Sequence, residues 1–198
     1  MSDVVIIDSG GANLASLQYA LERLGARARV TSDVEEIAAA GRIILPGVGS
    51  ARDAMSRLEA CGAAARLGRL EQPVLGICLG MQLLYERSAE GDTPGLAVLA
   101  GSVERLISRP GMPVPHMGWN QIELGAADPL LEGIRSGEYV YFVHSYAAPV
   151  SAATIATTRY GTDLSAVVRR RNFWGTQFHP ERSGRTGAAI LANFLALD

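Results

Sequence analysis

Apolar residues in the first half of the chain follow two alternating patterns. Short continuous apolar runs, of the length of buried strands, occupy segments 4–8, 27–30, 42–45 and 73–77. Between them, segments 14–24, 33–40, 51–58 and 79–85 carry apolar residues at helical spacing, with Gly25 placed to end the first helix and Ser32 to cap the second. This alternation predicts an α/β fold, a mostly parallel central sheet with helices on both faces. In such sheets, functional groups gather at the carboxyl ends of the strands.

The second half has a different pattern. Segments 114–124, 138–143, 154–158, 166–168 and 173–178 read as strands without regular helices between them, and Gly and Pro separate them. They predict hairpins or a mixed sheet edge, followed by a final helix over 185–197. Because no repeat or flexible linker interrupts the chain, we expect residues 1–198 to form one domain.

Composition and charge exclude several classes of protein. The formal charge of −2 gives no field that would draw the chain to nucleic acid or an anionic membrane, and Arg169-Arg170-Arg171, without interleaved aromatics, reads as a solvated strand or turn edge. The two cysteines show neither a disulfide framework nor a zinc-ligand spacing, so no metal is expected. The first residues read as a strand and no apolar run is long enough to span a bilayer, which predicts a soluble cytoplasmic protein.

Cys78 is the candidate nucleophile. It lies in Gly76-Ile77-Cys78-Leu79-Gly80, between a buried strand and a helix, which is the setting of a nucleophile elbow. Flanking glycines permit a sharp turn, and the field at the start of the following helix favours a thiolate. The alternative is that Cys78 is a small core residue, the role we assign to Cys61.

His179 and Glu181 are the candidate base and its orienting acid. Phe178-His179-Pro180-Glu181 closes an apolar strand, and residues two apart in an extended segment point to the same side. Glu181 could then reach a ring nitrogen of His179 and stabilise its charged form. On its own, this motif is a weak signal that favours a solvated surface pair.

Together these motifs identify a family. A Gly-x-Cys-x-Gly elbow and a His-Pro-Glu whose histidine lies 101 positions later (179 − 78) resemble the triad-type, class I glutamine amidotransferases over essentially the whole chain. The resemblance implies their flavodoxin-like three-layer fold, L-glutamine as the substrate, and Cys78, His179 and Glu181 as the catalytic triad.

The oxyanion formed from a carboxamide needs hydrogen-bond donors that are already in place. The N–H of Leu79 is one candidate, and the glycine-rich loop Gly47-Val48-Gly49 can supply another. A dinucleotide-binding reading of this loop fails because Arg52 stands at the third glycine position. The resemblance implies that the loop is the oxyanion strand.

The resemblance also implies which residues bind glutamine. Gln82, one helical turn after the nucleophile, would help to hold the substrate. Ser145 and Tyr146 match the segment where family members bind the amino-acid head through backbone groups.

Three further segments look like the glutaminase subunit of imidazole glycerol phosphate synthase: Asp8 to Leu14, Leu45 to Gly49 and especially Pro115-His116-Met117-Gly118-Trp119-Asn120. This resemblance implies a heterodimer with a separate (β/α)8 cyclase subunit, which receives the ammonia, no cofactor, and weak activity of the free subunit. Asn13, Trp119 and Asn120 would then lie at the interface, whereas core packing is the alternative for Trp119.

One departure from the pattern and three rival hypotheses stay open. Family members often have Tyr-Gly-x-Gly-Asn where this chain has Ser9-Gly10-Gly11-Ala12-Asn13, which leaves the partner contacts of that loop uncertain. The rivals are a free-standing cysteine hydrolase or peptidase, a scaffold with a relic site, and an amidotransferase of another pathway. The first leaves Pro115 to Asn120 unexplained, and intact triad residues speak against the second.

Overall fold

A computed structural model describes residues 3–9 and 14–197 of the chain. In these ranges six α-helices cover a nine-stranded sheet, and a smaller four-stranded sheet lies beside it. The helices are α1 Leu14–Arg23, α2 Val34–Ala39, α3 Ala51–Ala60, α4 Ala63–Leu67, α5 Leu79–Leu83 and α6 Gly184–Ala196. The strands are β1 Asp3–Ile7, β2 Arg27–Thr31, β3 Arg42–Leu45, β4 Val74–Ile77, β5 Tyr85–Ser88, β6 Thr93–Pro94, β7 Leu99–Arg105, β8 His116–Leu124, β9 Glu138–His144, β10 Tyr146–Ala147, β11 Thr154–Tyr160, β12 Thr162–Arg170 and β13 Phe173–Thr176.

The large sheet is half parallel and half antiparallel. Its strand order is β2-β1-β3-β4-β13-β12-β11-β8-β9, and the pairs from β2 to β13 are parallel. The pairs from β13 to β9 are antiparallel, as expected for the helix-poor second half. The predicted α/β fold is confirmed, and its parallel part is formed by the four strands of the first half together with β13.

Hydrophobic residues cover both faces of the parallel part. Along β1, Val4 and Ile6 pack into the core beneath α1 and α6, whereas Val5 and Ile7 pack into the core beneath α2 and α3. Successive side chains of a strand point to opposite faces, so a continuous apolar run is what a strand covered on both sides requires. The predicted three layers follow from this burial.

The small sheet was not predicted. Its order is β10-β7-β5-β6, and its strand β5 begins at Tyr85, the last residue of the helix predicted over 79–85. The helix ends at Leu83 because a later segment takes up the carbonyl groups near its end. The N–H groups of Leu96, Ala97 and Leu99 donate to the carbonyls of Leu83, Tyr85 and Leu84, respectively. A contact between distant segments therefore overrides the local helical pattern.

The start of α2 also differs from the prediction. Asp33, not Ser32, is the N-cap, because its Oδ1 accepts hydrogen bonds from the N–H groups of Glu35 and Glu36 at 2.8 and 3.3 Å. A carboxylate at a helix N-terminus satisfies free N–H groups and also opposes the positive end of the helix dipole.

The basic cluster at the end of β12 has structural contacts. Arg169 pairs with the buried carboxylate of Asp128 at 2.9 Å and lies 4.9 Å above the ring of Trp174, whose Nε1 donates to the same carboxylate. Arg170 donates to the carbonyl of Val98 at 2.7 Å. None of the helices in the described ranges has the length and apolar character needed to cross a membrane.

Candidate active site

The predicted site residues meet at the carboxyl ends of β3, β4 and β13. The loop Gly47-Val48-Gly49 follows β3, Cys78 follows β4, and His179 follows β13. The loop after β1 falls on residues 10–13, outside the described residues, as does the predicted interface residue Asn13. Ser9, which precedes these residues, is buried and donates its hydroxyl to the carbonyl of Pro46 at 2.9 Å.

Cys78 occupies a backbone conformation that side chains rarely adopt. Its φ is 53° and its ψ is −108°. The turn is fixed by hydrogen bonds on both sides, since the N–H of Cys78 donates to the carbonyl of Thr176 at 2.7 Å and the N–H of Gln82 donates to the carbonyl of Cys78 at 3.1 Å. Such strain persists only where the surroundings impose it, and it is frequent at catalytic residues.

The glycine after the nucleophile is required by close packing. A Cβ atom on Gly80 would lie 1.8 Å from the carbonyl oxygen of Leu45, at the end of β3. A Cβ atom on Gly76 would lie 2.7 Å from the carbonyl oxygen of Gly80. The elbow therefore packs backbone against backbone on the end of β3, beside the glycine loop.

His179 and Glu181 form a buried pair. Nδ1 of His179 lies 2.9 Å from Oε1 of Glu181, and the two side chains are 6% and 3% exposed. The backbone of His179 is held on both sides, because its N–H donates to the carbonyl of Tyr141 and its carbonyl accepts from the hydroxyl of Ser183. The ring orientation follows from these contacts.

The protonation of His179 depends on its two partners. Burial lowers the pKa of the ring, but the hydrogen bonds and negative charges of Cys78 and Glu181 together outweigh it and raise the pKa to about 10. The ring therefore carries its proton at neutral pH when Cys78 is a thiolate. A thiolate beside an imidazolium that is oriented by a carboxylate is an arrangement suited to acyl transfer.

A cavity of about 330 Å³ opens beside the thiol. Nine of the predicted site residues line it: Gly47, Val48, Gly49, Cys78, Leu79, Gln82, Ser145, Tyr146 and His179. The remaining triad candidate, Glu181, contacts His179. Residues from four separate chain segments thus converge on one cavity, although this geometry does not by itself assign their roles.

Gln82 ties the two sheets together beside the cavity. Its Nε2 donates to the carbonyl of Tyr146 at 2.8 Å and to Oε1 of Gln177 at 3.0 Å. Gln177 in turn directs its Nε2 to Sγ of Cys78 at 3.8 Å. The thiol also lies 3.7 Å from the carbonyl of Val143, so the nucleophile touches β9 and the segment after β13.

The sequence analysis missed four lining residues: Glu90, Pro115, Val143 and His144. Among the lining residues that the structure describes, Glu90 is the only one with a carboxylate, and its Oε2 accepts the N–H of Ala51 at 2.7 Å. That contact joins residues 39 positions apart and leaves no pattern in the sequence. Val143 and His144 lie next to the predicted Ser145, which was the available signal.

Aromatic and sulfur-containing side chains form a surface on β8 and β9, here called the aromatic patch: the exposed Met117, Trp119 and Tyr139 and the half-buried Tyr141. Trp119 is 55% exposed, so the core-packing alternative is wrong. Its ring meets that of Tyr141 edge-on at 6.0 Å, and Arg182 lies 4.6 Å above Tyr141. Asn120 is half-buried, with Nδ2 donating to the carbonyl of Arg159. The patch is close to the triad, because His179 bonds to the backbone of Tyr141.

Comparison with known proteins shows the family of this chain. The class-I glutamine amidotransferase family matches residues 5–197. The chain belongs to this family. It also belongs with the HisH subunits of imidazole glycerol phosphate synthase. It is 52% identical over 198 residues to that subunit from Xylella fastidiosa strain 9a5c, covering 100% of this chain and 99% of the relative. Likewise, it is 52% identical over 197 residues to the subunit from Xanthomonas euvesicatoria pv. vesicatoria strain 85-10, covering 100% and 98%.

A solved glutamine amidotransferase shares the fold, with a TM-score of 0.74, 21% identity, and coverage of 98% of this chain and 97% of that one. At 21% identity, the likeness to that structure shows only that the two chains share a fold.

Replacing Gly80 with alanine should destabilise this amidotransferase strongly. The added Cβ would overlap the carbonyl oxygen of Leu45, so we expect Gly80→Ala to lower the free energy of unfolding by about 3 kcal/mol or more, measured in urea. Gly68→Ala is the matched control, because its Cβ would lie 3.7 Å from the carbonyl oxygen of Leu96 and its φ of −66° suits alanine. Equal stability of the two variants would contradict the close packing of the elbow.

Stability should fall as the pH drops below about 6.5. Burial lowers the pKa of His116 to about 4. It is also the largest of the causes that lower the pKa of His144 to about 3. Between these values and 6.5, the unfolded chain therefore binds protons that the folded protein does not. His179, with its pKa raised to about 10, stays protonated in the folded protein, and below about pH 6 the unfolded chain holds that proton as well, so this residue adds little slope there.

We therefore expect the free energy of unfolding to decrease with a slope approaching about 1.4 kcal/mol per pH unit for each of His116 and His144. Urea unfolding between about pH 6 and pH 5 measures it, above the range where most carboxylates titrate and below the range where His179 opposes the slope. His144→Asn should have a shallower slope, and a flat profile of the unsubstituted protein would refute the neutral histidine pair.

Proposed function

We propose that this chain hydrolyses L-glutamine to glutamate and ammonia, with Cys78 as the nucleophile, His179 as the general acid and base, and Glu181 as the group that orients the ring. The observation that carries the proposal is the ordered contact of thiol, imidazole and carboxylate beside a cavity of about 330 Å³, in a chain of this family. In the proposed reaction the thiolate attacks the carboxamide carbon and forms a tetrahedral adduct.

His179 is suited to change roles during the reaction. In the free enzyme its proton is held by the charges of Cys78 and Glu181. As the C–N bond breaks, the ring gives this proton to the departing ammonia and leaves a thioester. The sulfur is then neutral, so one of the two charges that raised the pKa of His179 is gone. The ring can now accept a proton from water, and the resulting hydroxide releases glutamate and restores the thiolate.

The oxyanion would be stabilised by the N–H of Leu79 and by the loop Gly47-Val48-Gly49. A Cβ atom on Gly47 would lie 2.6 Å from Cβ of Leu79, so the loop already lies against the elbow. Each well-placed donor of this kind contributes about 3–4 kcal/mol to transition-state stabilisation. Gly49 has a φ of 93°, a conformation open to glycine, which suits the loop to a peptide flip that switches activity.

The glutamine head would meet complementary groups on the opposite wall. Glu90 can pair with the substrate ammonium, and Gln82 can offer its side-chain oxygen, because its amide nitrogen already bonds to Tyr146 and Gln177. The carbonyl of Ser145 accepts a hydrogen bond from the N–H of Leu106. In a trans peptide the carbonyl and the following N–H point in opposite directions. The N–H of Tyr146 is thereby turned away from β7, where it can bind the substrate carboxylate.

The ammonia would pass to a cyclase partner. We infer from the HisH relatives that the chain is the glutaminase of imidazole glycerol phosphate synthase, in a cytoplasmic heterodimer with a (β/α)8 cyclase subunit. The pair would form imidazole glycerol phosphate and aminoimidazole carboxamide ribotide in histidine biosynthesis. The aromatic patch supports this, because exposed tryptophan and tyrosine beside an active site suit a buried protein interface.

Glutamate release from glutamine tests the chemistry. We expect weak turnover by the chain alone and strong turnover when the cyclase subunit and its ribonucleotide ligand are added. Cys78→Ala should abolish glutamine use, while ammonia-dependent synthesis by the complex continues, because only the glutaminase step needs the thiol. Cys61→Ala is the matched control and should keep full activity, since Cys61 lies outside the cavity lining.

Two outcomes would overturn the proposal. Loss of ammonia-dependent synthesis in a folded, bound Cys78→Ala complex would mean that the division of labour is wrong. Rapid hydrolysis of esters or peptides by the chain alone, without glutamine turnover in the complex, would favour a free-standing cysteine hydrolase.

Binding to the cyclase subunit tests the interface. Truncating an exposed aromatic anchor removes buried contact area, so Trp119→Ala should weaken the complex by about 10- to 100-fold in a calorimetric titration. Ile107→Ala, at a side chain that is 73% exposed and outside the aromatic patch, is the control and should bind normally. Unchanged affinity of Trp119→Ala would place the interface elsewhere.

A further inference from the structure

Two histidines that the proposed chemistry does not use form a buried pair beside the cavity. His116 and His144 lie opposite each other in the β8–β9 ladder, and Nδ1 of His116 is 2.9 Å from Nε2 of His144. Their exposed fractions are 3% and 5%. The ring of His116 is stacked between those of Phe142 and Tyr160, with centroids at 4.8 and 4.0 Å. The pair is therefore held in one arrangement.

The contact at the inner end determines the tautomer of His144. Its Nδ1 lies 2.8 Å from the carbonyl oxygen of Tyr146, and a carbonyl can only accept, so Nδ1 carries the hydrogen. In a neutral ring Nε2 is then an acceptor. It must receive a hydrogen bond from Nδ1 of His116.

The contact at the outer end gives the same answer independently. The side-chain oxygen of Asn120 accepts the N–H of Gln121 at 2.8 Å, which places the amide nitrogen on the other side. That nitrogen lies 3.3 Å from Nε2 of His116 and also donates to the carbonyl of Arg159. Nε2 of His116 is thus an acceptor, and its Nδ1 carries the hydrogen. One direction of donation runs from Asn120 through both rings to Tyr146.

The inner end of this chain of hydrogen bonds lies where the backbone changes sheets. Ser145 separates β9 of the large sheet from β10 of the small sheet. The carbonyl of Tyr146 accepts from both His144 and Gln82, each at 2.8 Å, which uses its two lone pairs. The side chain of His144 therefore spans the corner and fixes the peptide between Tyr146 and Ala147, directly after the N–H of Tyr146. This corner lines the cavity and adjoins Val143, whose carbonyl faces the thiol.

We propose that His144 and His116 are positioning residues, a neutral pair that holds the Ser145–Tyr146 backbone in the conformation that binds the glutamine head. The proposal rests on the glutaminase function given above. Burial lowers the pKa of both rings far below neutral pH, in agreement with the uncharged pair that the hydrogen bonds require. The outer end, Asn120, lies in the segment next to the aromatic patch and fixes the tautomers from that side.

Two substitutions of His144 separate positioning from packing. The side-chain nitrogen of asparagine can occupy the place of Nδ1, so His144→Asn keeps the donor to Tyr146, whereas His144→Leu removes it. In the assembled complex we expect His144→Leu to raise the KM for glutamine by about five- to tenfold, more than it lowers kcat, because one hydrogen bond that orders the binding backbone is lost. His144→Asn should recover most of the wild-type KM.

The outcomes divide clearly. Equal KM values for the leucine and asparagine variants in a complex whose wild type turns over glutamine would overturn the positioning role and leave the glutaminase function intact. Absence of turnover by the wild-type complex would instead contradict the function on which the proposal rests.

A second measurement needs neither substrate nor variant. Imidazole ¹⁵N NMR spectra of the full chain at neutral pH should show His116 and His144 as neutral rings that both carry hydrogen on Nδ1. A ring with hydrogen on Nε2, or a protonated ring, would refute the directed pair.

Discussion

The active site depends on one constraint, the strained backbone of Cys78 between β4 and α5. A backbone conformation with φ of 53° and ψ of −108° costs about 1–3 kcal/mol of free energy, which stabilising contacts in the surrounding structure must offset. The hydrogen bond to Thr176 and the packing of Gly80 on the end of β3 hold the turn in place. Because that packing leaves no room for a Cβ atom, the thiol, the first turn of α5 and the glycine loop occupy fixed relative positions.

The parallel pairing of β4 with β13 brings the rest of the triad to this turn. Ile77 is the register partner of Thr176, so two strands about 100 positions apart in sequence end side by side. His179 follows three residues after Thr176 and is held by β9 through Tyr141. The distance in sequence between nucleophile and base is thus closed by sheet register, and the smaller sheet closes the cavity from the other side through Ser145 and Tyr146.

The sequence predicted those features that rest on local patterns. Apolar runs located the parallel strands, and glycines at a strand–helix junction located the elbow, because each is a requirement that neighbouring residues meet. The small sheet, the bond from Glu90 to Ala51 and the histidine pair were missed because each joins polar or backbone groups distant in the chain. The predicted N-cap of α2, Ser32, was wrong by one residue, because Ser32 and Asp33 are both good capping side chains and the helix begins after Asp33.

Two histidines in the same cavity have opposite protonation, and their partners explain why. Burial disfavours the charged form of both His144 and His179. His144 faces a carbonyl and another neutral ring, and the hydrogen bond to the carbonyl offsets burial only in part, so the ring stays neutral, as a fixed donor must. His179 faces the sulfur of Cys78 and a carboxylate, and with Cys78 as a thiolate their hydrogen bonds and negative charges reverse the effect of burial. The charge of His179, which must move a proton, therefore depends on the state of the reacting sulfur. His144, which must hold the backbone in place, stays uncharged.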